Sequence, residues 1–94
     1  MASLYILFST TASKYYIGVT KDLQRRIQYH LRKEFHGSFT AKYNNWELFF
    51  EIPNLEIGIA RKIEFHIKKM KSKIYIKNLK KHPEIAEKLV LKYS

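Results

Sequence analysis

The chain contains no cysteine. That removes disulfide frameworks, zinc fingers and redox thiols at once, and fits a reducing compartment, so a cytoplasmic protein is expected. No apolar run approaches about 18 residues, so no membrane span and no membrane partner are expected. The N-terminus lacks a basic n-region, and Leu4–Phe8 is too short for an h-region, so no signal peptide is expected. Internal repeats, low-complexity tracts and linkers are absent too. Acidic residues are scarce: eight Asp and Glu face 18 Lys and Arg, for a net charge of +10.

Such an excess of one sign in 94 residues repels itself. A polyanion relieves that repulsion, and nucleic acid gains further from the release of counterions from its phosphates. The length has room for one domain, residues 1–94, and 46% hydrophobic with 15% aromatic residues supply its core. Domains of this size bury only about 60–65% of their unfolded surface, so modest stability is expected.

Leu4–Phe8 is a continuous apolar run, as in a strand buried on both faces, and Tyr15–Val19 is a second run of β-formers. The short connection between them predicts an antiparallel hairpin. Thr20 or Asp22 suits the cap of a helix to about Lys33, with Leu23, Ile27 and Leu31 as its core stripe. Glu34–Asn45 reads as an irregular or partly helical connection. Trp46–Ile52 reads as a third strand, stopped by Pro53. Asn54 then suits the cap of a helix over about Leu55–Met70, and short helices follow at Lys73–Lys80 and Pro83–Tyr93. The order ββαβα plus a helical tail implies an α+β fold, a small three-stranded antiparallel sheet flanked by helices.

Pairing Phe8 with Tyr15 sets Tyr5 opposite Gly18 and Leu7 opposite Tyr16, so all four share one face of the sheet. Two tyrosines then converge beside a glycine that leaves the backbone open. On the first helix, at about 100° per residue, Arg26 and His30 border the apolar stripe while Arg25 faces solvent. Arg26 snorkelling over the core edge is the plain alternative. Glu64 is the only acid between Arg61 and Lys81. An isolated carboxylate among cations suits one divalent ion whose other ligands are water and phosphate oxygens. A helix salt bridge to Lys68 is its plain alternative.

Taken together, Leu4-Tyr5-Ile6, Tyr16-Ile17-Gly18, Arg26, His30 and Glu64 resemble the GIY-YIG nuclease domain. The run from Tyr16 to His30 is similar to the short standalone members. Ala60–Ser72 resembles the helix that carries their metal-binding glutamate. The resemblance covers about residues 4–80, leaving a basic helical tail over about 71–94. It implies the GIY-YIG fold and a divalent-metal-dependent endonuclease, with one Mg²⁺ or Mn²⁺ ion, hydrolysing phosphodiester bonds in DNA. DNA repair is one setting it implies. By the same resemblance, Tyr5 and Tyr16 are the motif tyrosines, one of which helps deprotonate the attacking water, and Gly18 is the motif glycine. Arg26 contacts the phosphate, His30 lies near the nucleophile, and Glu64 is the sole protein ligand to the metal. The leading glycine and final tyrosine of the first motif are missing here, Val19 replaces a lysine found in the excision-repair relative, and the asparagine that commonly follows the glutamate has no clear match.

Lys68, Lys69, Lys71, Lys73 and Lys77 crowd one stretch with no acid between them and are expected to bind nucleic acid, DNA first. Tight sequence specificity would need a partner protein or a homodimer. The alternative function is a catalytically silent nucleic-acid-binding module with the same fold, although pure binding needs only Lys and Arg. An RNA scaffold would interleave exposed aromatics with basic residues. Trp46, Phe49 and Phe50 read as strand core instead.

Overall fold

A computed structural model describes residues 1–31 and 46–94, the side chains of 29–31 excepted. The expected connection Glu34–Asn45 lies outside the described residues. Strands β1 (Ala2–Ser9), β2 (Lys14–Thr20) and β3 (Trp46–Leu55) form one antiparallel sheet in the order β2-β1-β3. Helices α1 (Leu23–Leu31), α2 (Ile57–Met70), α3 (Lys73–Lys81) and α4 (Pro83–Tyr93) complete the α+β fold.

The apolar run puts β1 in the centre, where neither face meets water: Leu4, Tyr5, Ile6 and Leu7 are all 0–1% exposed. Its even-numbered side, with Ala2, Leu4 and Ile6, shares a core with Ile17, Ile52 and Leu55 and with Ala60, Ile63 and Ile67 of α2. The same core takes Ile76 and Leu79 from α3 and Ala86 and Leu89 from α4. The odd-numbered side forms a smaller cluster of Tyr5, Leu7 and Trp46, covered by Tyr16 and by Leu23 and Ile27 of α1. The hairpin register matches the expected one, with Tyr5 paired to Gly18, Leu7 to Tyr16 and Phe8 to Tyr15. Of the expected helix stripe, Leu23 and Ile27 pack on this cluster, and the Leu31 side chain lies outside the described residues.

Asp22 caps α1, its Oδ1 accepting from the Arg25 N–H at 3.2 Å, while Thr20 Oγ1 accepts from the Asp22 N–H at 3.1 Å. The start of α2 departs from expectation. Asn54 does not cap it; β3 continues through Pro53 and Asn54 to Leu55, and Glu56 precedes the helix without a side-chain capping bond. Pro53 and Asn54 together oppose Ser3 in a β-bulge, and Asn54 takes the left-handed conformation at φ 60°. Asparagine is favoured at caps and tolerates left-handed backbone, and here the bulge claims it.

Candidate active site

Tyr5 projects sideways from the central strand across its partner Gly18. A Cβ at residue 18 would stand 2.5 Å from the Tyr5 hydroxyl oxygen and 2.6 Å from the carbon bearing it, far inside van der Waals distance. The missing side chain is therefore a notch through which the phenol passes toward the β2 edge. Tyr16, on the same face, lies with its ring centroid 6.2 Å from that of Tyr5, and the two hydroxyl groups hydrogen-bond.

Two more groups act electrostatically on this hydroxyl from different helices. Burial pushes the Tyr5 pKa well above the ordinary phenol range, and the neighbouring Tyr16 adds to the rise. Arg26 of α1 opposes it, whereas Glu64 of α2 and the Tyr16 hydrogen bond reinforce it. The tertiary fold thus packs Tyr5, Tyr16 and Gly18 together and brings Arg26 and Glu64 within electrostatic range of the Tyr5 hydroxyl. His30 lies on α1 by its backbone, one turn beyond Arg26; its side chain lies outside the described residues.

Glu64 Oε2 accepts from Lys68 Nζ at 3.0 Å, with the carboxylate side chain 24% exposed and the lysine 55%. An exposed i,i+4 pair of this kind contributes only about 0.3–0.5 kcal/mol, so it does not lock the carboxylate. Among the described residues, no three of His, Cys, Asp or Glu gather as a protein-built metal cage. Glu64 stands one helical turn beyond Arg61, which lines a cleft that Glu64 itself does not line. A half-sheltered hard oxygen donor there still fits a Mg²⁺-type ion, which commonly takes one or two carboxylates and keeps water and phosphate for the rest.

That cleft has a volume of 790 Å³ and is walled by Val19, Thr20, Lys21, Arg25, Arg26 and Arg61, with Gly58 at its rim. Its one acid, Asp22, is engaged at the α1 cap. Sequence reasoning missed Lys21 and Arg61. Arg61 stands one turn before Glu64, and that i,i+3 spacing was the available signal. Arg25 is exposed, as helix phase predicts, yet it lines the same cleft as Arg26.

Of the expected nucleic-acid-binding lysines, Lys68, Lys71 and Lys73 line a second cleft with Lys14. Lys69 instead acts on His66 together with Lys92, and Lys77 is exposed on α3 without lining either cleft. No helix among the described residues is long and apolar enough to cross a membrane.

The three-stranded antiparallel sheet in the order β2-β1-β3 with its flanking helices has the architecture of a nuclease-type α+β fold. Within that class, the pattern of the GIY-YIG catalytic domain matches residues 1–69, and the chain belongs to the GIY-YIG family. Members are in general nucleases, typically dependent on a divalent metal, and a domain of this kind implies a nucleic-acid substrate. No curated protein and no solved structure matches the chain.

Proposed function

We propose that the protein is a divalent-metal-dependent endonuclease that hydrolyses phosphodiester bonds in DNA. The observation that carries this reading is the Tyr5 hydroxyl held across Gly18 within electrostatic reach of both Arg26 and Glu64. Binding alone has no use for a buried phenol between a cation and a carboxylate.

The scissile phosphate enters beside Arg26, whose guanidinium meets the charge that builds on the phosphoryl oxygens as water attacks. Burial keeps Tyr5 protonated, so it is a poor base and a good donor. It holds Tyr16 by their hydrogen bond, so that Tyr16, once its own phenolic proton has passed to solvent, is the group placed to take a proton from the attacking water. His30 is assigned a supporting place beside the nucleophile because it follows Arg26 by one helical turn. Glu64 would hold a single Mg²⁺ or Mn²⁺ ion, which when bound supplies Lewis acidity to the phosphate and the leaving oxygen. Cytoplasmic action and DNA repair are the setting proposed with this activity. Targeting to particular sequences is assigned to a partner protein or a homodimer.

One observation favours a catalytically silent binding module: Lys68 already partners the Glu64 carboxylate. Plasmid DNA incubated with and without Mg²⁺ or Mn²⁺ decides between them. Cleavage should require metal and fall by about 10²-fold or more in Glu64→Gln, as removal of a transition-state interaction does. Binding without metal-stimulated cleavage in the wild type would select the silent module.

A further inference from the structure

Ile57, Arg61, Glu64, Lys68 and Lys71 follow one another along α2 and its cap at spacings of four, three, four and three residues. That spacing draws a single line down the helix surface, about a quarter-turn from the buried stripe of Ala60, Ile63 and Ile67. The beginning of the line, Ile57 and Arg61, lines the 790 Å³ cleft, and its end, Lys68 and Lys71, lines the second cleft of 310 Å³. Strand β2 divides the same way, with Val19 and Thr20 at the first cleft and Lys14, Tyr15 and Ile17 at the second. The two clefts are therefore the ends of one seam between β2 and α2, and Glu64 lies between them.

Charge is sorted along this seam. Lys21, Arg25, Arg26 and Arg61 stand at one end, and Lys14, Lys68, Lys71 and Lys73 at the other. Glu47 and Glu51 are exposed on β3, the opposite edge of the sheet, and Glu84 and Glu87 on α4.

Two details show how the second cleft is built. Lys71 sits at φ 49°, ψ 39°, a left-handed helix end where glycine is the usual occupant and a side chain is strained. A lysine is kept there all the same. Lys73 Nζ donates to the Ser13 carbonyl at 2.8 Å, tying the start of α3 to the β1–β2 turn. The wall formed by Ser72, Lys73 and Ile76 thus comes from residues beyond the matched 1–69, so the C-terminal extension completes this cleft.

We propose that the second cleft is a phosphate-binding subsite and that one strand of the nucleic acid lies lengthwise along the β2–α2 seam. Lys14, Lys71 and Lys73 grip its backbone to one side of Glu64. Lys71 lies about 10 Å along the helix from Glu64 at 1.5 Å per residue. The rise is about 3.4 Å per nucleotide along the duplex axis and the path along one strand is longer, so this grip falls within about three nucleotides of Glu64. The position of the cut relative to this grip rests on the endonuclease reading; the path of the backbone does not.

The test compares Lys14→Ala/Lys71→Gly with Lys62→Ala/Lys88→Ala, whose residues are exposed and line neither cleft. Each double variant removes two positive charges from the same net +10, so the two are matched in overall charge. Affinity for a duplex oligonucleotide is measured against salt, with thermal melting alongside. The groove variant should bind about tenfold more weakly, with the slope of log K against log salt flattened by about 0.9 for each phosphate that is no longer neutralised. It should melt no lower than wild type, because glycine relieves the left-handed position. Equal weakening in both variants would overturn the proposal, since net charge alone would then explain binding. In cleavage reactions, a neutral methylphosphonate scanned over about the first three phosphates on this side of the cut should slow the wild type at one position and leave the groove variant unaffected there. Equal sensitivity of both enzymes would overturn the assigned position. A wild type that binds but never cuts would refute the endonuclease reading and leave the salt comparison to decide the groove.

Discussion

The space between Tyr5 and Gly18 is tight enough that a methyl group at residue 18 would overlap the phenol. Gly18→Ala should therefore cost about 1–3 kcal/mol by overpacking and displace the hydroxyl from Arg26 and Glu64. For a domain of this size, that lowers Tm by roughly 4–8 °C per kcal/mol, and cleavage should fall with it. Gly58 has nothing within 4 Å of its absent Cβ and lies in the first turn of α2. Gly58→Ala should raise stability by about 0.5–1 kcal/mol. Melting curves of the pair check both signs, and a similar Tm in the two variants would show that the notch carries no packing cost. The two neighbouring arginines make a second contrast. Arg26 is half-buried and acts on Tyr5, whereas Arg25 is exposed at the cleft wall. Arg26→Ala should lower kcat by about 10²-fold. Arg25→Ala should chiefly raise KM and soften the salt dependence. Steady-state kinetics would show the helix phase irrelevant to chemistry if kcat fell equally in both.

Among the elements, α4 is held to the sheet-bound helix α2 by a specific polar interaction as well as by apolar burial. His66 Nδ1 and the Tyr93 hydroxyl are 2.8 Å apart, and the His66 ring also meets Tyr75 of α3 at 6.0 Å between centroids. Desolvation, then Lys92 and Lys69, hold the His66 pKa below its ordinary 6.5. The unfolded chain therefore takes up a proton more readily than the folded one. Stability is fully present above pH 6.5 and is lost as pH falls through the lower folded value. Mild acid should thus loosen α4 before the sheet, visible as faster amide exchange in residues 83–93, and His66→Phe should flatten that acid limb. Unchanged exchange on acidification would show that apolar burial alone retains α4. The strand and helix patterns at this scale were legible because their periods, two and about 3.6, are written in residue order. The start of α2 was not: Asn54 is a favoured residue for both a cap and a left-handed bulge, and only the pairing of β3 with Ala2 and Leu4 on either side of Ser3 selects the bulge.

At the scale of the whole molecule, eight of the 18 Lys and Arg line the two clefts of the β2–α2 seam, while β3 carries exposed acids. The folded state assembles this field from distant parts of the chain, and the unfolded state disperses it. Duplex oligonucleotide should therefore bind the native form preferentially and raise Tm. At a concentration about 100 times Kd the gain is about 2.7 kcal/mol, shrinking as salt is added. Calorimetry at two salt concentrations checks this; a Tm indifferent to the oligonucleotide would mean that the basic surface has no polyanionic partner.

Residue order alone determined that the chain is basic, α+β and a member of the GIY-YIG family. Composition, short-range period and motif spacing are local properties, so no folding was needed to read them. The hairpin register was legible as well, because a tight connection and one buried face leave few pairings open. Only the tertiary structure decided that Lys21 and Arg61 share a cleft with Arg26, and that Lys14 joins Lys71 and Lys73 while Lys69 and Lys77 stand apart. A run of lysines has one appearance in sequence, but on a helix each step turns the side chain by about 100°. Which of them face β2 depends on how the buried stripe of α2 seats against the sheet, and that is a property of packing.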